Sequence, residues 1–287
     1  SFGTVSFGRT LSIFGRQAIL NDMTLFGVGM ANMDGAAVTA GRIGRGYTYP
    51  NFNARFSYKT PVFSGFQAEV GLYDPSIEQL NNLGNTVLNQ TDTPRFEGEL
   101  TYSTTFANGS FKAWVDGLWQ DLESTIATGT DDATVSAWGV GATAGYMGFA
   151  LTGYYYDGEG LGRSLQFVGG TACNAAGTFC EEAENDGYYV QGTYTFNGKT
   201  KVGASYGQST EDAYSASAIA AGVVPGLANQ DVELDMWTVG VYHDVNSWLK
   251  LIAEYSKSEN DYAANGAGTF SGATESDTFS LGTFFVW

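Results

Sequence analysis

Residues 51–73 contain the pattern that decides the fold: NFNARFSYK (51–59), TPVFSG (60–65) and FQAEVGLY (66–73). In an extended chain, successive side chains point to opposite faces. One face of these two segments carries the apolar side chains of Phe52, Ala54, Phe56, Tyr58, Phe66, Ala68, Val70 and Leu72. The other face carries mostly polar side chains. This alternation predicts two antiparallel strands joined by a short turn.

The same alternation recurs along the whole chain and predicts twelve strands. They are 2–9, 51–59, 66–73, 95–102, 111–120, 134–145, 148–157, 187–196, 200–208, 232–244, 248–257 and 277–287. Helix signals are weak throughout the sequence, and only the first long connection could hold a short helical turn. The sequence therefore predicts an all-β protein.

The connections between these strands alternate in length. The short ones are 60–65, 105–110, 145–148, 196–199 and 244–247, and the long ones are 10–48, 74–94, 121–133, 158–186, 209–231 and 258–276. Short turns at one end and long loops at the other are typical of an outer-membrane barrel. We therefore predict one domain over 1–287, a transmembrane antiparallel β-barrel with an apolar face towards lipid and a polar face towards a wet interior.

Composition excludes several other classes of protein. The chain has 287 residues, a formal net charge of −17, 43% hydrophobic residues and 15% charged residues. The low charge content and the many aromatic residues argue against disorder. The acidic balance argues against nucleic-acid binding, which requires basic surface. No apolar run is long enough for a membrane helix.

Cys173 and Cys180 are the only cysteines, and they lie close together in a Gly/Ala-rich stretch of the 158–186 connection. With one histidine in the chain, they cannot form a Cys/His zinc site. A disulfide that closes a small loop is the favoured interpretation, and it implies an oxidising compartment. The alternative is a pair of free thiols.

The end of the chain reads SLGTFFVW (280–287). Gly282, Phe285 and the terminal Trp287 fall at the spacing of the assembly signal of outer-membrane proteins. We expect a final strand whose lipid face ends in an interfacial aromatic residue.

Two stretches resemble the general diffusion porins of Gram-negative bacteria: GTVSFGR (3–9) followed by NDM (21–23), and GRIGRGYTY (41–49) running into FSGFQAEV (63–70). In that family a strand leads into a long loop that folds into the pore. The resemblance implies an outer-membrane homotrimer in contact with lipid and lipopolysaccharide. It also implies sixteen strands with the in-folding loop after the fifth, so about four N-terminal strands would be absent from this chain. A closed twelve-stranded barrel is the alternative.

The resemblance makes 10–48 the constriction loop. Asp22 matches a constriction acid of the family, and Arg9 and Arg42 match constriction arginines. Asp34, Arg16 and Arg45 are further candidates because they lie in the same loop. Arg9 shares the parity of Phe7, which would face lipid, so either a bulge at Gly8 turns Arg9 inward or Arg9 lies above the apolar band.

The polar faces of the strands supply candidates that line the lumen: Arg55, Lys59, Glu69, Glu97, Glu99, Lys112, Asp116, Asp231, Glu233 and Asp235. Together with the net charge they predict a channel for ions and small hydrophilic solutes that prefers cations. We expect no cofactor and no specific metal site, although acidic loops could loosely bind Ca²⁺ or Mg²⁺.

The sequence bears on three other functions. An enzyme is not expected, because the single histidine, His243, lies by a short turn without the partners of a hydrolase. A sugar-type specific channel could use Tyr154, Tyr156 and Tyr189 for stacking. The long loops could also make the barrel a surface-adhesion protein.

Overall fold

The computed structural model describes residues 2–28, 32–33, 36–37, 41–75, 88–124, 131–223, 230–264 and 272–285. Twelve long strands form one antiparallel sheet in which each strand pairs with the next along the chain. They are β1 (Thr4–Leu11), β2 (Phe52–Lys59), β3 (Phe66–Tyr73), β4 (Arg95–Phe106), β5 (Gly109–Ser124), β6 (Ala133–Tyr146), β7 (Phe149–Glu159), β8 (Glu184–Phe196), β9 (Thr200–Glu211), β10 (Gln230–Asp244), β11 (Leu249–Ala264) and β12 (Gly272–Phe285).

The predicted all-β class, the antiparallel sheet and its twelve strands are confirmed. Several strands are longer than predicted, and β5 covers Gly109–Ser124 rather than 111–120. The reason is that ladder hydrogen bonds continue into polar residues, beyond the apolar alternation. Within the described residues β1 pairs with β2 alone and β12 with β11 alone. Membership of a sixteen-stranded barrel stays a prediction.

Tight turns join the strands at one end of the sheet. Ser64 and Gly65 both have positive φ angles, and so do Met147 and Gly148 and also Asn197 and Gly198. Two consecutive positive φ values define a type I′ turn, whose twist matches that of the flanking strands. These turns fix the register of the neighbouring hairpins.

The remaining elements are small and lie in the long connections. Helix α1 is Arg16–Asn21, and helix α2 is Ala216–Ala220, whose first turn is capped by the Ser215 hydroxyl. Asn32–Met33 pairs with Ala36–Ala37, Thr171–Cys173 pairs with Cys180–Glu182, and Leu88–Gln90 pairs with β5. In the described part of the chain, neither helix has the length or the apolar character to cross a membrane.

The two faces of the sheet differ sharply in chemistry. One face, called the outer face here, exposes large apolar side chains such as Phe7, Leu151 and Leu281. The opposite, inner face buries polar side chains such as Gln191 and Thr238. Aromatic residues form two rows on the outer face, one at each end of the apolar band. One row is Trp119, Trp138, Tyr155, Tyr188, Tyr206, Trp237 and Tyr255, and the other includes Phe66, Tyr102, Phe149, Tyr194, Trp248 and Phe285.

The connection between β1 and β2 lies on the inner face. Its described residues 12–28 and 41–51 are called the inner segment. Arg16 contacts Glu69 on β3, and the ring of Phe26 lies 5.1 Å from that of Phe284 on β12. The chain from Arg16 to Phe26 includes α1 and spans at most about 25 Å. In a flat sheet β3 and β12 would be about 43 Å apart. The sheet therefore curls around the inner segment.

Candidate functional site

The inner segment enters the interior through hydrogen bonds to two carboxylates. Oε2 of Glu97 accepts from the backbone N–H of Ile13 at 2.7 Å and of Phe14 at 3.0 Å, and Oδ2 of Asp116 accepts from Gly15 at 3.0 Å. Both carboxylates are buried. They accept from amide groups that are buried next to α1, and the Ile13 N–H also donates to the Tyr73 hydroxyl at 2.9 Å.

Arg16 anchors the start of α1 to the same wall. Its Nη2 lies 2.8 Å from Glu69 and 2.9 Å from Glu99. Arg55 on β2 approaches the other oxygen of Glu69 at 3.2 Å, and Lys112 on β5 donates to the side chain of Gln17. The sequence placed these acids on the inner face. The structure adds that the inner segment covers them.

Asp22 organises the middle of the inner segment. Its Oδ1 accepts from the N–H and the hydroxyl of Thr24, and its Oδ2 accepts from the N–H of Arg42 at 2.8 Å and from the hydroxyl of Tyr47 at 2.7 Å. Asp22 is 6% exposed. The side chain therefore ties the outgoing and returning halves of the inner segment together, and little of its carboxylate meets solvent.

Arg42 and Arg45 fix the returning half to the opposite wall. Arg42 is fully buried and donates to the hydroxyl and carbonyl of Ser205 on β9 and to the carbonyl of Met236 on β10. Its burial lowers the pKa of the guanidinium, while the nearby Asp22 carboxylate opposes that shift. Arg45 donates to Asn260 on β11 at 2.7 Å, and the Gly46 N–H donates to Ser209.

Glu254 on β11 is an anchor that the sequence analysis missed. Its Oε2 accepts from the N–H of Val28 at 2.8 Å, and its Oε1 accepts from the hydroxyl of Tyr242 at 2.6 Å. Glu254 is 3% exposed. Its parity places it on the inner face with Ile252, so the alternation in 248–257 could have identified it.

Arg95 is a second missed residue. Its guanidinium lies 3.0 Å from Glu97 and stacks over the rings of Tyr73 and Phe167. Phe167 belongs to the 158–186 connection, so that connection also reaches the interior. There the Tyr49 N–H donates to the Ser164 carbonyl at 2.8 Å. No feature of the sequence pairs these two long connections, because their contact is entirely tertiary.

The disulfide prediction is confirmed. Cys173 and Cys180 are bonded and close the hairpin formed by Thr171–Cys173 and Cys180–Glu182. The side chain of Asp131 accepts a hydrogen bond from the Cys180 N–H at 2.7 Å. The disulfide closes the hairpin, and the hydrogen bond to Asp131 holds it against the neighbouring 121–133 connection.

Some predicted site residues lie away from the interior. Arg9 is exposed on the outer face with Phe7, and β1 keeps a regular register with β2 at Gly8, so no bulge turns Arg9 inward. It donates to the Phe52 carbonyl instead. The inner position predicted for Glu233 and Asp235 is also wrong, because they alternate with the buried residues Leu234 and Met236.

The remaining predicted site residues lie in several parts of the structure. Asp231 has the same outer-face parity as Glu233 and Asp235, so its predicted inner position is wrong as well. It lies at the long-loop end of β10 and accepts from the Ala213 N–H at 3.0 Å. Arg55, Lys59 and Lys112 have the parity of the inner face. Phe285 is exposed on the outer face of β12, and Gly282 lies against Val28 on the inner face. Asp34 and Trp287 lie outside the described residues. Among the residues that are described, no group of three or more His, Cys, Asp or Glu side chains could hold a metal ion.

The geometry is that of a curled antiparallel sheet with an apolar outer face, a polar inner face and an inner segment fixed across the interior. A family model described as Gram-negative porin matches residues 1–263. The chain belongs to the Gram-negative porin family, and its location is the bacterial outer membrane. Family and fold point to a channel rather than to an enzyme.

Solved structures of low sequence identity share the fold. The outer membrane channel DcaP of Acinetobacter baumannii is 16% identical with a TM-score of 0.67, over 98% of this chain and 71% of that one. The anion-selective porin of Comamonas acidovorans is 15% identical with a TM-score of 0.57, over 99% and 73%. OmpT of Vibrio cholerae, in its trimer form, is 17% identical with a TM-score of 0.54, over 100% and 78%. No curated protein matches the chain.

Proposed function

We propose that this protein is an outer-membrane diffusion channel for ions and small hydrophilic solutes, narrowed by the inner segment. The observation that carries the proposal is the anchoring of this segment to both sides of the curled sheet. Gly15 is bonded to Asp116 on β5, and Val28 is bonded to Glu254 on β11. A segment held in this way reduces the cross-section of a polar interior without filling it with an apolar core.

The anchors make the constriction a fixed structure. Hydrogen bonds to charged groups contribute about 1.5–3 kcal/mol each, and removing one partner of a buried pair costs more. Arg16, Asp22, Arg42 and Glu254 each make two or more such bonds. Displacing the segment would break several of them at once. We therefore expect a steady conductance.

The inner aromatic residues do not favour a sugar-type channel. Tyr154, Tyr156 and Tyr189 lie on the inner face as predicted by parity, but all three are buried. The ring of Tyr189 lies 5.8 Å from that of Tyr47, and its hydroxyl donates to the carbonyl of Ala18 in α1. These rings support the inner segment, and a passing sugar would not reach their faces.

The assembly that we propose is a homotrimer in contact with lipid and lipopolysaccharide, and it needs no cofactor. The apolar outer face with its two aromatic rows supports the lipid contact. The Vibrio cholerae OmpT, which shares the fold, has a structure in a trimer form. Ca²⁺ or Mg²⁺ at the acidic loops remains part of the proposal, as loosely held counter-ions.

The predicted preference for cations rests on the net charge of −17. A preference for ions depends on the charges that a permeating ion meets, rather than on the total. Glu233 and Asp235, on which the prediction partly relied, lie on the outer face. Glu97, Glu99 and Asp116 lie beneath the inner segment.

Single-channel conductance in planar bilayers tests the proposed constriction. The Arg16→Ala variant loses the ion pairs to Glu69 and Glu99, so we expect a larger and noisier conductance than that of the natural chain. Arg9→Ala is the matched control, because Arg9 lies on the outer face, and it should leave the conductance unchanged. Folding of each variant is checked by circular dichroism. Absence of current from the folded natural protein would overturn the proposal that it is a channel. An unchanged conductance in Arg16→Ala would overturn the proposal that the inner segment narrows the channel.

A further inference from the structure

At least twelve of the 30 acidic residues of the chain lie on the outer face of the sheet, outside the lumen. Beyond the aromatic row of Trp119 and Trp237, towards the long connections, the outer face carries acids on several strands. They are Asp121, Glu123, Asp157, Glu159, Glu184, Asp186, Glu233, Asp235, Glu259, Asp261, Glu275 and Asp277. Cross-strand register sets some of them directly opposite one another, as Asp157 and Asp186 are. These carboxylates are separated from the lumen by the wall of the sheet.

The basic residues have the opposite distribution. Of the 13 lysines and arginines, only Arg9, Lys199 and Lys257 lie on the outer face or in a turn. Arg16, Arg55 and Arg95 neutralise the buried acids Glu69, Glu97 and Glu99. Solvent in the lumen therefore meets little of the negative charge that the wall carries.

Lysines provide most of the accessible charge at the short-turn end of the inner face. Lys59 on β2, Lys112 on β5, Lys201 on β9 and Lys250 on β11 all lie there. The side chains of Lys59 and Lys250 are 40% and 33% exposed. Lys59 lies 3.8 Å from the buried Glu69, which Arg16 and Arg55 also contact. Within the described residues, Asp244 is the accessible acid at this end, 3.5 Å from Lys250. Asp22 and Glu254 also face the region, but each is nearly covered and holds several donors.

Lys201 and Lys250 share a cavity beside the inner segment. The cavity has a volume of about 290 Å³. Besides the two lysines, its lining includes Asp22, Thr143 and Thr152 and the apolar residues Met23 and Phe26. Lys201 lies 4.7 Å above the ring of Tyr242, which positions its ammonium group. The two strands that carry these lysines are separated by β10 alone, so their Cα atoms are about 12 Å apart and an anion can approach both.

We propose that the short-turn end of the lumen is an anion-attracting vestibule, and that the Lys201–Lys250 cavity binds the carboxylate of small organic anions as they permeate. The ammonium groups supply the charge, and the apolar lining contacts the carbon chain. The hydroxyls of Thr143 and Thr152 bond to each other at 2.9 Å, which leaves one hydroxyl proton that can be donated to the anion. This proposal rests on the proposed channel function. It gives the pore a preference for anions, opposite in sign to the one predicted from net charge.

The first test is the reversal potential of the full chain in a planar bilayer under a KCl gradient. The natural chain should prefer chloride over potassium. A unit charge at about 7 Å in water changes the local concentration of an ion by about threefold, so Lys201→Gln with Lys250→Gln should lower the permeability ratio by roughly threefold or more. Lys201→Arg with Lys250→Arg should preserve it. Lys257→Gln on the outer face is the matched control and should also leave it unchanged.

Benzoate provides the second measurement. Added to the bath, it should reduce the chloride current of the natural chain at millimolar concentration and have a weaker effect on the double glutamine variant. A preference of the natural chain for potassium would overturn the proposal while leaving the channel intact. An unchanged permeability ratio in the double glutamine variant would overturn it too. Absence of any current from folded protein would instead overturn the channel itself.

Discussion

The hydroxyl of Tyr47 donates a 2.7 Å hydrogen bond to Oδ2 of Asp22, and both groups are buried inside the curled sheet. The same oxygen accepts from the N–H of Arg42. The acid that the family resemblance assigns to the constriction is thus a hub that closes the inner segment on itself. Asp22 affects mainly the shape of the pore, because both oxygens of its carboxylate accept hydrogen bonds from within the inner segment.

Tyr47→Phe should destabilise the inner segment. The variant keeps the ring packed on Tyr189 but removes one donor from Asp22, so we expect a loss of about 1–3 kcal/mol and more frequent current fluctuations. Thermal unfolding and single-channel noise measure the two effects. Tyr58→Phe is the control, because its hydroxyl bonds to the exposed Phe2 carbonyl. A Tyr47→Phe variant as stable and as quiet as the control would contradict the role of this bond.

The Tyr47–Asp22 bond also has an expected pH dependence. Burial, with a contribution from the Asp22 carboxylate, raises the pKa of the Tyr47 phenol well above its ordinary value of 10.0. A raised pKa means that the protonated, donating form persists in the folded chain. The bond should therefore contribute fully below pH 10 and be lost only as the pH rises through the higher folded-state pKa. Conductance noise that increases between pH 7 and pH 9 would disagree with this.

Neutralising the outer-face acids should not change ion preference. Glu233→Gln with Asp235→Asn removes charges that the sheet separates from the lumen, so the reversal potential should stay the same within error. The variant should also be slightly more stable, because Glu233 lies opposite Asp261 and Asp235 opposite Glu259, and like charges in register repel. Reversal potential and thermal unfolding check both effects. A clear shift of the reversal potential away from cation preference would show that Glu233 and Asp235 face the lumen and would contradict this prediction.

Loss of the disulfide should loosen the 158–186 connection and leave the conductance of the pore unchanged. Cys173→Ser with Cys180→Ser opens a small loop, so the expected cost is about 2–3 kcal/mol, confined to the hairpin. Limited proteolysis should cleave within 174–179 more rapidly in the variant. Conductance should match that of the natural chain, since the hydrogen bonds and ion pairs of Arg16, Asp22 and Arg42 are made to other residues. A changed conductance would show that the bridge supports the inner segment.

Much of the fold followed from the alternation of side chains. All twelve strands were predicted, and the parity of Glu69, Glu97 and Asp116 placed them on the inner face. The identity of their partners could not be predicted, because Asp116 bonds to Gly15, 101 residues away along the chain. Such contacts depend on how the whole sheet curls.

The errors have a physical origin in the long-connection end of the strands. The rule that polar residues face inward holds within the apolar band, where the outer face meets lipid. Beyond the row of Trp237 and Tyr255 the outer face leaves that band, so Glu233 can point outward without being buried in lipid. There the inner face packs against the long connections and carries apolar side chains, such as the buried Leu234 and Met236. In this part of the strands the alternation therefore places apolar side chains on the inner face and polar side chains on the outer face.

The anchors of the inner segment have a consequence for how the chain reaches its native state. Met23 is bonded to Gln191, 168 residues later, and Val28 to Glu254, 226 residues later. A residue near the start of the chain cannot form these bonds until the strands near its end are in place. Contacts of such long sequence separation slow folding. The strand ladders can form between neighbours in sequence, so the inner segment should settle into the interior as a late and separate event.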